Sequence, residues 1–441
     1  MRRLGFAALV VLGGCVTSSG GEVLSPRERA LVALQKGNAA EAVKLLEALR
    51  ADAPGDLDVA RAWAGAHVKA GSTAQALARL EKPETAADWY TRGLLLFANP
   101  KDAGGAAVEA FRKAVAKAPD EGELHYRLGV ALLESEQYEG AHESLTAAAG
   151  SRPERTAWRL PLAKAQHRLG RAKEAIASIR LVVTSDCTAQ EAATAKALTE
   201  EIADPFAGFP KAARPKLDQA LGWLQVADVP QQAITELEDI VREYPDLGVV
   251  HALLGLAAAR VDDAGRAIEE LKRAIELSPD DGKPYLYLAD LYTARQRGSQ
   301  AKELYEKALE KNPTLDDAWF KLGEAALERQ ELEKARTSFR TAARLRPDNW
   351  FARGKLALVL QLEGNWAAAD RELKGELAQR PDNLEAVLRL GLLHTEKFLK
   401  TKTPTDRDAA RAEAARWLEK VLDQQPENAL ASRALERVKQ P

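Results

Sequence analysis

Cysteine and histidine, the side chains that most often carry nucleophilic or metal chemistry, are scarce in this sequence. The 441 residues include two cysteines, Cys15 and Cys187, and six histidines. A thiol acts as a nucleophile only beside a base, and no base partner can be argued for either cysteine from the sequence. Two cysteines are also too few for a disulfide framework. Cys187 is interpreted as a small apolar residue of a turn, whereas the residues around Cys15 suggest another role.

The histidines and the paired carboxylates lack the spacing of metal or catalytic sites. The histidines are His67, His125, His142, His167, His251 and His394. Four of them share two positions of a 34-residue period, which favours packing over metal binding. The aspartate pairs that begin at Asp262 and Asp280 lack the calcium-loop spacing and are interpreted as helix caps. We therefore predict no metal, no cofactor, no small-molecule substrate and no enzyme activity.

Composition and charge indicate an all-α protein without affinity for nucleic acid. The sequence carries 63 basic and 65 acidic residues, a formal net charge of -2, and no long basic stripe. Nucleic-acid binding depends on clustered positive charge, so this class of partner is excluded. Alanine, leucine, glutamate and arginine dominate, and all four favour helices.

The first sixteen residues have the order of a secretory signal. Arg2 and Arg3 are followed by the apolar run 4–16, which is too short to span a bilayer and matches the apolar part of a signal peptide. The residues before Cys15 are Leu12, Gly13 and Gly14, and this stretch resembles the cleavage site of bacterial lipoproteins.

The lipoprotein resemblance implies that residues 1–14 are removed and that Cys15 becomes the lipidated first residue. Several acyl chains give a stable membrane anchor, and residues 15–22, rich in serine and glycine, are expected to act as a flexible tether. Val16 stands where an aspartate marks inner-membrane retention, which favours the outer membrane, facing the periplasm. The alternative is an ordinary secretory signal in which Cys15 has no role.

A comb of prolines sets a 34-residue repeat. The prolines in register are Pro119, Pro153, Pro245, Pro279, Pro313, Pro347 and Pro381. Proline ends helices, so a regular comb marks regular helix ends. An alanine stands twelve residues before each proline and a large apolar residue stands eight before it, as Ala335 and Phe339 do before Pro347. Small residues allow close helix approach, and the large residue fills the gap between repeats.

This pattern resembles the tetratricopeptide repeat, and residues 316–349 match it best. The resemblance implies an all-α superhelical solenoid of antiparallel helix pairs, with about eleven repeats. We predict the repeats at 23–56, 57–85, 86–121, 122–155, 156–189, 214–247, 248–281, 282–315, 316–349, 350–383 and 384–428. Three prolines within residues 204–215 break the pattern, so we predict an N-terminal array, 23–203, a linker, 204–213, and a C-terminal array, 214–441.

Three departures from the repeat are also predicted. The repeat at 57–85 is truncated, residues 190–203 form a single helix, and the repeat at 384–428 carries 11 extra residues between its helices. The segment ENALASRALERVK near residue 435 is interpreted as a helix that covers the apolar face of that repeat.

In proteins of this family the first helices of the repeats line a concave surface that binds partners. By resemblance, the candidate contact residues are Tyr90, Phe97, Tyr126, Leu160, Leu286, Phe320, Phe351 and Leu388. Their apolar share favours an apolar helix or extended segment of a partner protein, although some of them are also explained by packing between neighbouring helices. No repeat has the lysine and asparagine with which some family members hold a C-terminal carboxylate.

Together these features predict a membrane-anchored scaffold or assembly factor for an envelope complex that serves secretion, pili, motility or envelope biogenesis. Its expected partners are other proteins, together with the membrane through the lipid. Two alternatives stay open: an accessory or regulatory subunit of a cell-wall or polysaccharide enzyme, and a periplasmic adaptor without lipid.

Overall fold

The computed structural model describes residues 24–99, 104–225 and 229–440. The predicted signal peptide, the tether 15–22 and Cys15 therefore lie outside the described residues. Every regular element in the described ranges is a helix. In chain order the α-helices are α1 Pro26–Gln35, α2 Ala39–Asp52, α3 Leu57–Lys69, α4 Thr73–Arg79, α5 Ala86–Phe97, α6 Gly105–Lys117, α7 Gly122–Glu134, α8 Tyr138–Ser151, α9 Arg159–Arg168, α10 Ala172–Thr184, α11 Ala189–Ile202, α12 Arg214–Gln225, α13 Pro230–Glu243, α14 Gly248–Arg260, α15 Ala264–Leu277, α16 Gly282–Ala294, α17 Gly298–Lys311, α18 Asp316–Glu328, α19 Leu332–Leu345, α20 Trp350–Leu362, α21 Trp366–Gln379, α22 Leu384–Lys400, α23 Pro404–Gln424 and α24 Ala429–Lys439.

The prolines end the second helix of each regular repeat, as predicted. Helices α15, α17, α19 and α21 each end two residues before a proline of the comb. The residue that follows each of these helices leaves the helical conformation, because the proline ring disfavours that conformation in the residue before it. In these repeats the two helices pack together across a short turn, and each second helix packs on the first helix that follows it. The predicted fold class, an all-α tetratricopeptide-repeat solenoid, is confirmed.

Glycine lets the two helices of a repeat approach closely. A Cβ atom placed on Gly323 would lie 2.7 Å from Cε1 of Phe339, which is closer than carbon atoms pack. Gly255 stands in the same relation to Leu271, at 2.6 Å. In these two repeats the large residue eight positions before the proline thus fills the space above a glycine, and Phe339 is wholly buried there.

The turn within each repeat needs a left-handed residue. Asp262, Gln296, Gln330 and Gly364 share one position of the 34-residue period and have φ values of 60°, 58°, 59° and 76°. Only glycine adopts this conformation without steric cost, and three of the four positions carry another residue.

The fourth residue of four first helices donates a hydrogen bond to the carbonyl oxygen of the proline six residues earlier. The donor–acceptor pairs are His125–Pro119 at 2.7 Å, His251–Pro245 at 2.8 Å, Tyr285–Pro279 at 3.2 Å and Trp319–Pro313 at 2.8 Å. Histidine, tyrosine and tryptophan can all make this hydrogen bond, because each carries a polar hydrogen at the far end of a ring. The shared position of the two histidines is therefore structural, as predicted.

The chain divides into two compact units, Met1–Ser178 and Ile179–Pro441. The division falls inside helix α10, ahead of the single helix α11 and of the predicted linker at 204–213. The reason lies in contacts that the sequence does not show. Arg344 donates to the carbonyl oxygen of Ser185, and Thr341 donates to that of Val183, so the end of α10 belongs with helix α19.

The predicted departures from the repeat have distinct structures. The truncated repeat ends in the seven-residue helix α4, and residues 189–202 form the single helix α11. The 11 extra residues of the last predicted repeat lengthen its helices rather than a loop: α22 has 17 residues and α23 has 21. Helix α24 buries Leu435 and Val438 against them, as the capping prediction requires.

Among the helices of the described ranges, none has the length and apolarity needed to cross a bilayer.

Candidate functional site

Three of the eight predicted contact residues do not reach the surface. Tyr90 is wholly buried, and its hydroxyl donates to Glu123 at 3.0 Å while its ring packs near Phe111. Leu286 and Leu388 are buried in the cores of their repeats. The expectation that these three are exposed is wrong, because side chains of adjacent helices cover each of them.

The other five predicted residues keep part of their surface. Phe97 and Leu160 are half-buried in the unit 1–178, as is Tyr126. Phe320 is half-buried in the unit 179–441, where its ring meets Phe339 edge-on at 5.6 Å. Phe351 is exposed. These five residues stay predictions as partner contacts.

In the unit 1–178, aromatic rings and arginines form one cluster on the first helices. Tyr126 on α7 stacks on Trp158 at 4.9 Å with the ring planes 13° apart. Arg127 lies over Tyr126, and Arg155 lies over Trp158, at 5.3 and 5.2 Å from the ring centroids. These contacts hold the side chains in place, and because Trp158 is buried, Tyr126 and Arg155 are the groups that keep exposed surface.

A buried carboxylate organises this cluster. Glu123 accepts hydrogen bonds from Tyr90 and Arg127, and Arg61 and Arg155 lie 3.6 and 3.7 Å from its oxygens. Burial and the adjacent carboxylate raise the pKa of the Tyr90 phenol, so the phenol remains a donor. Arg61 also pairs with Asp58 at 2.7 Å, so two carboxylates share the charge of the arginines in this cluster.

In the unit 179–441, helix α20 carries an exposed apolar stripe. Phe351, Leu358 and Leu362 are 55%, 41% and 56% exposed. Spacings of seven and eleven residues place all three on one face of the helix. Seven large apolar side chains are exposed in the described part of the chain, and three of them belong to this stripe. Isolated exposed leucines are ordinary, whereas a row of them on one helix indicates a binding surface.

The stripe lies beside charged groups of the preceding first helix. Glu324 on α18 pairs with Lys321 at 3.1 Å and with Lys355 of α20 at 3.5 Å. An apolar strip edged by solvated charges is the usual form of a protein-binding surface. We call Phe320, Phe351, Leu358 and Leu362 the α20 face.

Sequence reasoning missed two kinds of residue at these surfaces. Leu362 occupies the thirteenth position of its repeat, so its position alone would have identified it. Trp158 lies in a 3-10 turn, Thr156–Trp158, before helix α9 starts, so no position of the repeat pattern points to it.

The candidate chemical groups have structural roles. Cys187 is buried in the turn between α10 and α11, as expected of a turn residue, and burial raises the pKa of its thiol. Asp263 and Asp281 cap the helices that follow them, as predicted, because each accepts from a backbone N–H of the first turn. No group of histidine, cysteine or carboxylate side chains in the described ranges could hold a metal ion.

Comparison with known proteins agrees with the repeat. A family model described as the tetratricopeptide repeat matches residues 104–141, 126–192 and 286–349. A curated relative, anaphase-promoting complex subunit 3 of Schizosaccharomyces pombe, is 25% identical over 201 residues, which are 41% of this chain and 30% of that protein. The chain thus spans less than a third of the relative's length.

Two solved structures illustrate the structural similarity. Pseudomonas aeruginosa PilF is 18% identical, with 51% of this chain and 96% of that chain covered and a TM-score of 0.42. YrrB, described as a tetratricopeptide-repeat protein with an unusual peptide-binding site, is 21% identical, with 45% and 97% covered and a TM-score of 0.40. The helix pairs and the family model agree on the tetratricopeptide-repeat fold, a scaffold that binds other proteins or peptides.

Proposed function

We propose that this protein is a lipid-anchored scaffold of the bacterial envelope, facing the periplasm from the outer membrane, that holds a partner of an envelope complex through its first helices. The scaffold binds an apolar segment of that partner on the α20 face. The lipid on Cys15 keeps the repeats near the membrane where the complex assembles.

The exposed stripe of α20 is the observation that carries the binding proposal. Three large apolar side chains on one helix face cost solvation free energy in the unbound protein, roughly 25 cal/mol per Å² of apolar surface. A partner that covers them recovers this free energy. An amphipathic helix or an extended apolar segment fits a row of side chains better than a flat polar surface does.

The anchoring proposal is supported by the sequence of residues 1–22. A positive start, the short apolar run 4–16, a small-residue site before Cys15 and a serine- and glycine-rich tether succeed one another in the order of a lipoprotein. A tether of about eight flexible residues spans about 16 Å on average, so the repeats stay close to the lipid.

Site-specific photo-crosslinking in the producing cells tests the α20 face. A photoreactive amino acid at Leu358 is expected to give one adduct of discrete mass, because this side chain faces the bound partner. The matched control is Ala378, an exposed residue of the second helix of the same repeat, where no such adduct is expected. Phe351→Ser is expected to weaken the adduct at position 358. Equal adducts at both positions, or none at 358, would refute the binding surface.

Labelling with palmitate tests the anchor independently. The full-length protein is expected to incorporate the label and to fractionate with outer membranes, and Cys15→Ala is expected to abolish both. A protein that stays unlabelled in its producing cells would instead be the periplasmic adaptor without lipid.

A further inference from the structure

A second surface of the unit 179–441 is rich in arginine. A cleft of about 380 Å³ lies between the second helices α19 and α21, and helix α20 forms its floor. Five arginines line it, and we call it the arginine cleft: Arg336, Arg340, Arg344, Arg353 and Arg371. Its floor residues Leu356 and Leu360 lie on the face of α20 opposite to Leu358, so the cleft and the α20 face are separate surfaces.

The positive charge of the cleft is only partly neutralised by the protein itself. Two lining carboxylates, Asp186 and Glu372, face the five arginines. Arg336 pairs with Glu363 at 3.0 Å. Within the described ranges, Arg340 and Arg371 are in no ion pair, and they stand on opposite walls of the cleft. The Nε atom of Arg353 is buried without a hydrogen-bond partner. The open cleft therefore keeps the guanidinium donors of Arg340 and Arg371, rather than the buried Arg353 Nε, for an acidic ligand.

One end of the cleft already holds an acidic residue of the chain. Arg344 pairs with the Asp186 carboxylate through one nitrogen and donates to the Ser185 carbonyl oxygen through the other, at 2.5 Å. A single guanidinium group thus binds both a carboxylate and the carbonyl oxygen of the preceding residue. Its planar arrangement of N–H donors suits such a pair of oxygen acceptors. Arg340 and Arg371 present the same donors with no acidic residue paired to them.

We infer that the arginine cleft binds a short acidic segment of a partner protein, through the carboxylates of aspartate or glutamate. Charge complementarity selects this occupant, and the apolar floor at Leu356 and Leu360 accommodates the stems of such side chains. The bound segment contacts Arg340 and Arg371 in the same way as Ser185 and Asp186 contact Arg344. The inference rests on the proposed scaffold function only in taking the ligand to be a protein, and it concerns a different surface.

Fluorescence anisotropy with a labelled peptide tests the cleft on the full-length protein. The probe is a twelve-residue alternating serine–aspartate peptide, and the uncharged control is its serine–asparagine counterpart. The acidic peptide is expected to bind and the control peptide is not. Binding is expected to weaken as sodium chloride is raised, because salt screens exposed charges. The double variant Arg340→Gln/Arg371→Gln is expected to lose about ten-fold in affinity, which corresponds to about 1.4 kcal/mol, because it removes both unpaired arginines while solvent screens part of each contribution.

The matched control variant is Arg433→Gln/Arg437→Gln. It removes the same two charges from helix α24, away from the cleft, and is expected to bind the acidic peptide as the unaltered protein does. Helicity and melting temperature by circular dichroism verify that both variants fold. Equal losses in the two double variants would show attraction by net charge alone and would overturn the site.

A second variant tests the competition with Asp186. Asp186→Asn releases Arg344 for the peptide, so the affinity is expected to rise, and an affinity that does not rise contradicts the shared binding mode. A twelve-nucleotide single-stranded DNA that binds more tightly than the peptide, and loses affinity in Arg340→Gln/Arg371→Gln, would replace the acidic protein segment with a polyphosphate ligand. Failure of either test leaves crosslinking at Leu358 unaffected, so the two surfaces fail separately.

Discussion

At the scale of single residues, the buried His67 is expected to make the stability of the protein depend on pH. It is buried on helix α3, its Nδ1 lies 2.7 Å from the Ser72 hydroxyl, and its Nε2 has no hydrogen-bond partner. Burial lowers its pKa, and the nearby Arg79 lowers it further while Glu47 opposes the change. The native structure therefore favours the neutral form of this imidazole over the charged form.

We expect the unfolding free energy to fall as the pH falls through about 6.5, the pKa of an unfolded histidine. Below this pH His67 binds a proton more readily in the unfolded chain than in the native chain, so protonation favours unfolding. Urea unfolding of the protein and of His67→Gln at pH 7.5 and 5.5, followed by circular dichroism, measures the effect. The unaltered protein is expected to lose more stability than the variant, and equal losses would contradict a neutral buried His67.

At the scale of elements, the close approach of two helices depends on the glycine between them. Replacing Gly323 with alanine improves the intrinsic helix propensity of α18, yet the added methyl group meets the ring of Phe339 at 2.7 Å. We expect Gly323→Ala to destabilise the protein by about 1–3 kcal/mol, because overpacking forces the ring or the helix to move.

The matched control is Gly222→Ala in helix α12, where a Cβ would have no atom within 4 Å. This substitution is expected to stabilise the protein by about 0.5–1 kcal/mol through helix propensity alone. Thermal and urea unfolding of both variants gives the comparison. Two changes of the same sign would show that the glycine at position 323 is not a packing requirement.

The helix ends and this packing could be predicted because they repeat. A proline at each step of the 34-residue period, with alanine and a large residue at fixed distances before it, specifies each pair of helices by itself. Exposure could not be predicted in the same way, since it depends on the neighbouring repeat. Tyr90 occupies the same position of the repeat as Tyr126, but Glu123 accepts a hydrogen bond from the Tyr90 hydroxyl, and the Tyr90 ring is buried. Tyr126 instead stacks on Trp158 and keeps part of its surface.

At the scale of the whole molecule, contacts between residues far apart in sequence help to hold the compact unit 179–441 together. Arg180 donates to the Leu309 carbonyl oxygen, 129 residues away, and Thr341 and Arg344 hold residues 183–186 over a similar separation. A repeat pattern records only neighbours in the sequence, so it does not contain these contacts; the two predicted arrays and the linker at 204–213 stay predictions. The arginine cleft could not be predicted from the repeat pattern either, because Asp186 lines it although it lies outside the repeats that form the cleft.

Each repeat of such an array is stabilised mainly by its contacts with the adjacent repeats. Helix α24 covers the apolar surface of α22 and α23, and Leu435 packs there among Leu388, Leu418 and Val421. We expect Leu435→Asp to destabilise this end of the unit 179–441 by about 3 kcal/mol, because it places a charge in an apolar contact. Leu430→Asp, on the same helix but 60% exposed, is the control and is expected to be neutral.

Hydrogen–deuterium exchange on the intact chain distinguishes local loosening from global unfolding. In Leu435→Asp, exchange is expected to rise most in α22, α23 and α24, to rise less in α20 and α21, and to stay unchanged in α12 and α13. This gradient follows from stabilising contacts that reach only adjacent helix pairs. A uniform rise across helices α12 to α24 would mean that this unit unfolds as a single cooperative body, and the nearest-neighbour account of its stability would then be wrong.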